Sequence, residues 1–267
     1  MQELAFVIAG FGVGLIVGLT GVGGGSLMTP VLIFFFGIKP HMAVGTDLLF
    51  AAFTKLGGTV SMARQRLVPW RVVGQLCAGS IPAALVSLWV LHTLGPASGQ
   101  AQRIMTTTLG VALLLTAAAT LYKVVAFSKH RQAADQAARA ASGEQATRPR
   151  HWILPVLLGA VIGTLVTFTS VGAGAIGVTV LLLVYPMLPL PRIIGADIAY
   201  AVPLTLVAGL GHATLGSVDW SLLAQLLAGS LPGIWLGSRL VSRTPERVIR
   251  SILSLLLAWA GAKLVLI

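Results

Sequence analysis

Ten apolar segments, separated by short connections, make up most of the chain. A helix rises about 1.5 Å per residue, so a hydrocarbon core of roughly 30 Å takes about 20 apolar residues to cross. Most segments approach that length, and only 9% of all residues are charged. The sequence therefore predicts an all-α, polytopic membrane protein with about ten transmembrane or partial helices. The segments are residues 4–20, 21–36, 43–63, 72–91, 104–127, 153–169, 172–187, 196–215, 222–240 and 249–267.

The second and seventh segments are short for complete spans, and each follows a glycine-rich break. Irregular backbone at membrane depth is tolerated only inside the protein or beside a water-filled cavity. Broken helices of this kind are typical of secondary transporters. The alternatives for each broken pair are a hairpin of partial helices and two complete crossings.

The two halves of the chain repeat each other. Chance similarity among apolar helices would share Leu and Val, so shared Trp, Gln, Asp and Pro in one register indicate an internal duplication. The matches, at a spacing of 150 residues, are Trp70 with Trp220, Gln75 with Gln225, residues 45–47 with 195–197, and residues 78–82 with 228–232.

Arginines in the connections predict that the two repeats have opposite orientations. The connection after the third segment is rich in arginine, whereas its counterpart at residues 216–221 has none. The next connection reverses this bias: residues 92–103 hold one arginine, and their counterpart holds several. Lys and Arg favour the cytoplasmic side, so corresponding connections lie on opposite sides of the membrane. We therefore expect two inverted five-segment repeats, at residues 1–127 and 151–267.

A basic polar stretch, residues 128–150, joins the two repeats and is predicted to be cytoplasmic. Counting back from it places both termini outside the cytoplasm. The stretch is interpreted either as a partly disordered connector or as a connector with an amphipathic surface helix at residues 133–141. The first apolar segment continues through a glycine motif, so we expect it to remain in the mature protein.

The remaining composition argues against several other functions. The net charge of +11 comes from Lys and Arg in short connections, so we expect no nucleic-acid partner. Cys77 is the single cysteine, which leaves no disulfide framework or cysteine metal cluster. Neither a nucleotide-binding loop nor a set of catalytic groups is visible. We expect no cofactor, no bound metal and no enzymatic activity.

The glycine motifs at the two breaks are candidate anion sites. Glycine lets the backbone expose N–H groups, and the following helix directs its positive end at the same place. The alternative is close helix packing through small residues. The predicted substrate-binding residues of the motifs are Thr20, Gly23, Gly24, Gly25 and Ser26 in the first half, and Thr169, Ser170, Gly172 and Gly174 in the second.

Asp47 and Asp197 occupy matching positions inside apolar segments. A carboxylate within a membrane is costly unless it is paired, hydrated or protonated, so both are candidate coupling residues for a proton or a sodium ion. The alternative is that they cap helix starts, since each follows a glycine by two residues.

Lys55 and His212 are the other candidates. Lys55 lies near the middle of the third segment, where it can act as a counter-charge for an aspartate or a bound anion, and its repeat partner is Thr205. The alternative for Lys55 is that it extends to the membrane surface. His212 lies toward the end of the eighth segment and is either a proton-handling group or a structural histidine at the interface.

Several motifs occur together along the chain: residues 18–26, 44–49 and 54–55 in the first half, and residues 170–174, 195–198, 202–205 and 211–212 in the second. In combination they resemble the sulfite exporter TauE/SafE family of membrane permeases over nearly the whole chain. The resemblance implies export of small sulfur oxyanions or organic sulfonates across a bacterial inner membrane. The halves differ where Met62 replaces His212, so only one such histidine is available for coupling.

The sequence thus predicts a secondary transporter that exports a small sulfur-containing anion, such as sulfite or an organosulfonate. The alternatives are a permease for another small organic or inorganic anion, an integral-membrane enzyme and a membrane scaffold. The expected partners are the anion, a coupling proton or sodium ion, and membrane lipid.

Overall fold

The computed structural model describes residues 2–20, 25–140, 153–172, 174–185, 188–240 and 246–266. These residues form ten α-helices and no strand, which confirms the predicted all-α polytopic fold. The helices are α1 (Gln2–Thr20), α2 (Gly25–Phe36), α3 (Pro40–Arg64), α4 (Trp70–Leu94), α5 (Gly99–Ala140), α6 (Ile153–Thr169), α7 (Ala175–Val184), α8 (Leu190–Thr214), α9 (Trp220–Leu240) and α10 (Glu246–Leu266).

The two short helices are α2, with 12 residues, and α7, with 10 residues. At about 1.5 Å per residue they extend roughly 18 and 15 Å, about half the thickness of a hydrocarbon core. Both are therefore partial helices. Each follows a break after a longer helix of the same half: α1 ends at Thr20 and α6 at Thr169.

The helices α3 and α8 begin several residues before the apolar segments that predicted them. Pro40 is in the first turn of α3, and Pro191 is in the first turn of α8. Proline fits there because the first turn needs no N–H donor and the ring fixes φ near the helical value. Hydrophobicity alone therefore placed both starts too late in the chain.

Helix α5 continues to Ala140, so residues 128–140 of the basic stretch are helical. The remaining residues of that stretch, 141–150, lie outside the described part of the chain. The predicted linker thus begins as an extension of the last helix of the first half.

The outer faces of the helices carry large apolar side chains. Among the described residues, three helical spans are long and apolar enough to cross a membrane by themselves: Trp70–Leu94, Gly99–Leu121 and Leu190–Thr214. Trp70 and Trp220 are exposed at the starts of α4 and α9, as expected of aromatic residues at a membrane surface. An apolar exterior of this kind suits a lipid environment.

The tightest contacts between helices pair α1 with α9 and α6 with α4. In both pairs, a Cβ atom added at a glycine would lie within 2.5 Å of a carbonyl oxygen on the facing helix. The second pair repeats the first with the halves exchanged, so the two halves interlock instead of standing side by side. The contacts are Gly10 with Leu226, Gly14 with Ser230, Gly159 with Leu76, and Gly163 with Ser80.

The helices α3 and α8 cross each other at the centre and run antiparallel. A Cβ atom at Gly45 would lie 3.1 Å from the Cβ atom of His212, and one at Gly209 would contact Leu49. Farther along α3, the Thr59 hydroxyl lies 3.5 Å from the carbonyl oxygen of Ile198. Positions rise along α3 as they fall along α8, so these two helices point in opposite directions.

The glycine contacts give a stability prediction for the pair α1 and α9. We expect Gly14→Ala to lower the thermal unfolding midpoint of the purified protein, because its Cβ would lie 2.5 Å from the Ser230 carbonyl oxygen. Such overpacking costs about 1–3 kcal/mol. Gly12→Ala is the control, since nothing lies within 4 Å of its added Cβ. Equal midpoints for both variants would contradict this description of the interface.

Candidate functional site

Three buried charged side chains lie on the packed helices α3 and α8, with Lys55 between the two aspartates along the pair. Asp47 is 0% exposed, Asp197 is 2% exposed and Lys55 is 8% exposed. The opposite charges of Asp197 and Asp47 both act on Lys55, so the lysine is an internal counter-charge to both carboxylates. The structure therefore brings together the three charged residues that the sequence predicted. It does not support an extension of Lys55 to the membrane surface.

The two aspartates do not cap helix starts. Each is the eighth residue of its helix, because α3 begins at Pro40 and α8 at Leu190. Asp219, by contrast, caps a helix: its Oδ1 accepts a hydrogen bond of 3.0 Å from the N–H of Leu222 at the start of α9. The capping alternative for Asp47 and Asp197 was therefore wrong, and both carboxylates lie within the helical bundle.

The carboxylate of Asp47 is held by residues from both halves. Its Oδ2 accepts a hydrogen bond from the Thr29 hydroxyl of α2, and the side chain of Ser170, at the end of α6, lies beside it. The Ser170 hydroxyl is placed to donate to the same carboxylate, so Thr29 of the first half and Ser170 of the second hold Asp47 from two sides.

The carboxylate of Asp197 packs against the first turn of α7. A Cβ atom at Gly177 would lie 2.0 Å from Asp197 Oδ1 and 3.1 Å from the Tyr200 hydroxyl oxygen. A side chain at position 177 would therefore displace the Asp197 carboxylate. The positive end of the α7 dipole favours a negative charge at this place.

The second glycine motif has an irregular backbone between α6 and α7. Gly172 and Gly174 have φ values of +132° and +135°, and Ser170 has a positive φ of +59°. The N–H of Gly177 donates to the carbonyl of Gly172, so the first turn of α7 is already closed at that point. An anion at this helix end would have to bind backbone amides nearer the break.

Thr169 has a structural role at the same break. Its hydroxyl donates to the carbonyl of Leu165, at 2.6 Å, and accepts from the N–H of Val171, at 3.0 Å. Side-chain bonds of this kind satisfy backbone groups where a helix ends. Of the two predicted hydroxyls of this motif, Ser170 rather than Thr169 faces the central carboxylates.

Most of the first glycine motif cannot be placed relative to this site. Gly23 and Gly24 lie outside the described residues. Thr20 is the last residue of α1, and Gly25 and Ser26 begin α2, but their side-chain surroundings also lie outside the description. The anion site predicted from this motif therefore stays a prediction.

His212 is completely buried and lies in the last turn of α8. Its Nε2 donates to the carbonyl of Thr167 on α6, at 3.0 Å, while its Nδ1 has no partner among the described residues. The Cβ atom of His212 lies against Gly45, two residues before Asp47 on α3. It therefore belongs to the surroundings of the central site.

Sequence reasoning missed three side chains of the site: Thr29, Gly177 and Tyr200. Tyr200 follows Asp197 by three residues, a spacing that places two side chains on the same face of a helix. That spacing could have identified it. Thr29 and Gly177 carry no such signal, because their importance comes from the packing of the partial helices α2 and α7 against α3 and α8.

The described residues contain no group of three or more His, Cys, Asp or Glu side chains arranged to hold a metal ion. The arrangement that they do contain is a buried cation between two carboxylates, bordered by hydroxyl groups and by the start of a partial helix. It can bind a small charged solute within the membrane region.

The family model described as "Sulfite exporter TauE/SafE" matches residues 6–264. The chain belongs to the TauE/SafE family. As a member of this family it is an integral membrane protein and a membrane transporter.

Curated relatives match over almost the entire chain. "Probable membrane transporter protein YjnA" of Bacillus subtilis (strain 168) is 36% identical over 274 residues, which cover 99% of this chain and 100% of the relative. "Probable membrane transporter protein YdhB" of the same strain is 26% identical, with 97% and 98% covered. No solved structure matches the chain at a significant level.

The contact between Gly177 and Asp197 predicts that Gly177→Ala impairs transport while leaving the fold nearly intact. The added Cβ would displace the Asp197 carboxylate, which is the flexible end of a side chain and can move. In proteoliposomes that contain the purified variant, we expect the transport rate to fall on the order of tenfold, which corresponds to a free-energy change of about 1.4 kcal/mol. Gly57→Ala, with nothing within 4 Å of its added Cβ, is the control. Normal transport by Gly177→Ala would show that the position of Asp197 does not matter.

Proposed function

We propose that this TauE/SafE protein is a secondary transporter that exports a small sulfur-containing anion, such as sulfite or an organosulfonate, across a bacterial inner membrane. The observation that carries the proposal is Lys55, a buried lysine at the crossing of two repeat-related helices. An anion that leaves water must exchange its hydration for fixed donors and positive charge, because an unpaired buried charge is very costly. Lys55 offers that charge midway through the bundle.

The partial helices supply further groups for an anion. In transporters with broken helices, the start of a half-helix directs its positive dipole end at an anionic group of the substrate. Helix α7 begins at Ala175, immediately after the irregular backbone at Gly172 and Gly174. We propose that amides at this break, with Ser170 and the equivalent first motif, bind the oxygens of the anion next to Lys55.

Coupling to a proton or a sodium ion is assigned to Asp47 and Asp197, with His212 close to the first of them. Ionisable groups inside a membrane bundle commonly mark ion pathways. Both carboxylates lie within the electrostatic reach of Lys55, so a change in the charge of either one alters the attraction of the site for an anion.

The membrane topology that we propose has both termini outside the cytoplasm and residues 128–150 inside. The antiparallel crossing of α3 and α8 and the exchanged pairing of α1 with α9 and α4 with α6 support an inverted duplication. The exchange of the arginine bias between equivalent connections assigns the cytoplasmic faces. Inverted repeats place a shared site near the middle of the membrane, where they meet.

The Lys55 proposal predicts that Lys55→Met weakens anion binding and leaves the fold nearly intact. Loss of one charged contact costs a few kcal/mol, or about two orders of magnitude in affinity. Calorimetric titration of purified protein with sulfite, thiosulfate, sulfate and taurine measures the effect. Lys263→Met is the control, because that lysine is exposed on α10 and contacts the ring of Phe34, at 4.9 Å. Wild-type affinity in folded Lys55→Met would place the anion elsewhere.

The topology can be tested with a matched pair of positions. Arg71 and Ser221 are equivalent in the two repeats, and both are exposed in the first turns of α4 and α9. In a Cys77→Ala background, we expect Arg71→Cys to react with a membrane-impermeant thiol reagent only from the cytoplasmic side, and Ser221→Cys only from the opposite side. Labelling of both from one side would end the inverted-repeat proposal.

A further inference from the structure

We propose that the anion is transported together with a monovalent cation, a proton or a sodium ion, which binds in the second half between Asp197, Tyr200 and Gly177. The inference rests on the proposed function and adds to it the position of the cation and the reason that the anion needs one. It narrows the coupling proposed above for both aspartates to Asp197, although the two occupy equivalent positions in the sequence of the two halves.

The charge of the central site opposes the binding of an anion. With Lys55 protonated and both carboxylates ionised, the site carries one net negative charge before any ligand arrives. A sulfur oxyanion would add one or two more negative charges in a region of low dielectric constant, where repulsion is strong. Binding of an anion is therefore unfavourable until a positive charge neutralises one carboxylate.

The two aspartates have different surroundings. Asp47 already accepts a hydrogen bond from Thr29 in the first half. Asp197 instead lies beside Gly177 and Tyr200. Their counterparts in the first half are Met28 and Phe50, which offer no hydroxyl oxygen.

Two oxygen atoms from different side chains approach the same point beside Gly177. Both Asp197 Oδ1 and the Tyr200 hydroxyl oxygen lie within 3.1 Å of the point where a Cβ atom of residue 177 would be. Tyr200 is 0% exposed, and its hydroxyl has no hydrogen-bond partner among the described residues. A buried hydroxyl without a partner is costly, which indicates that a ligand completes this place.

The two oxygen atoms beside Gly177 are of the kind that binds a small cation. A carboxylate oxygen and a hydroxyl oxygen are hard ligands that suit a small hard cation, and a proton on the carboxyl group can be shared with the neighbouring hydroxyl oxygen. Within the described part of the chain, the other titratable groups that act on the pair are Lys55 of α3, on Asp197, and Cys77 of α4, on Tyr200. The cation thus neutralises Asp197 and leaves the charge of Lys55 to the anion.

The experiment measures anion affinity while each cation is varied separately. Sulfite is titrated calorimetrically at fixed pH, with sodium replaced by choline, to test sodium. Thiosulfate, whose charge is constant around neutral pH, is titrated in choline at several pH values to test the proton. We expect one of the two series to strengthen binding by about tenfold or more, a typical coupling between two sites. By reciprocity, the anion must strengthen cation binding by the same factor.

Four variants separate this proposal from a simple loss of charge. Both Asp197→Asn and Asp47→Asn remove one negative charge and should bind the anion more tightly in the absence of the cation. Only Asp197→Asn should lose the dependence on the cation, because Asp47→Asn keeps the atoms that bind it. Tyr200→Phe, which installs the residue of the equivalent first-half position, should require about tenfold more cation for the same effect. Phe50→Tyr is the matched control and should behave as the wild type. Unchanged cation dependence in Asp197→Asn would overturn the proposal.

The cation site can also be tested without any anion, through the thermal unfolding midpoint in sodium or choline and as a function of pH. Stabilisation of the wild type by one cation, absent in Asp197→Asn, supports the site even if no sulfur anion binds and the proposed substrate is wrong. If neither sodium nor pH affects the wild type differently from Asp197→Asn, the cation site is wrong, whatever the result for Lys55→Met.

Discussion

The burial of Lys55 between Asp47 and Asp197 is the interaction on which the rest of the structure depends. Isolated charges in an apolar medium are extremely costly, and even a paired set must be shielded and supplied with hydrogen bonds. The crossing of α3 and α8 provides that shelter because other helices surround it. Residues of α3 pack into both apolar clusters of the core, Val44 and Leu48 into one and Leu49 and Phe50 into the other.

Small residues make this enclosure possible. In lipid, no hydrophobic effect drives helices together, so close backbone packing must supply much of the association energy. The tight pairs α1–α9 and α6–α4 each join one half of the chain to the other. The two halves are therefore separate along the sequence, but they interlock in space and do not form two separate domains. The central site depends on both, as shown by Asp47 of the first half lying beside Ser170 of the second.

The fold was predictable from the sequence because the length of an apolar segment and the positions of its ends carry most of the information about a membrane helix. The starts of α3 and α8 were predicted too late in the chain, because hydrophobicity does not show that a proline can lie in the first turn of a helix. Among the site residues, Asp47, Lys55 and Asp197 were predictable because an ionisable residue in an apolar segment is costly. Hydroxyls give a weaker signal: that of Thr205 simply donates to the carbonyl of Ala201 in its own helix. Only packing shows that the Thr29 hydroxyl instead reaches a carboxylate.

The difference between Lys55 in the first half and Thr205 in the second follows from the packing of α3 against α8. The contacts of Gly45 with His212 and of Gly58 with Ile198 lie on either side of the crossing, so positions 55 and 205 both fall near its middle. A lysine at both would place two buried positive charges close together, and like charges repel strongly where the dielectric constant is low. Carboxylates tolerate duplication because a lysine between them attracts both. Two halves that meet around a buried positive charge must therefore differ at that place, and Thr205 is the uncharged residue that the second half carries there.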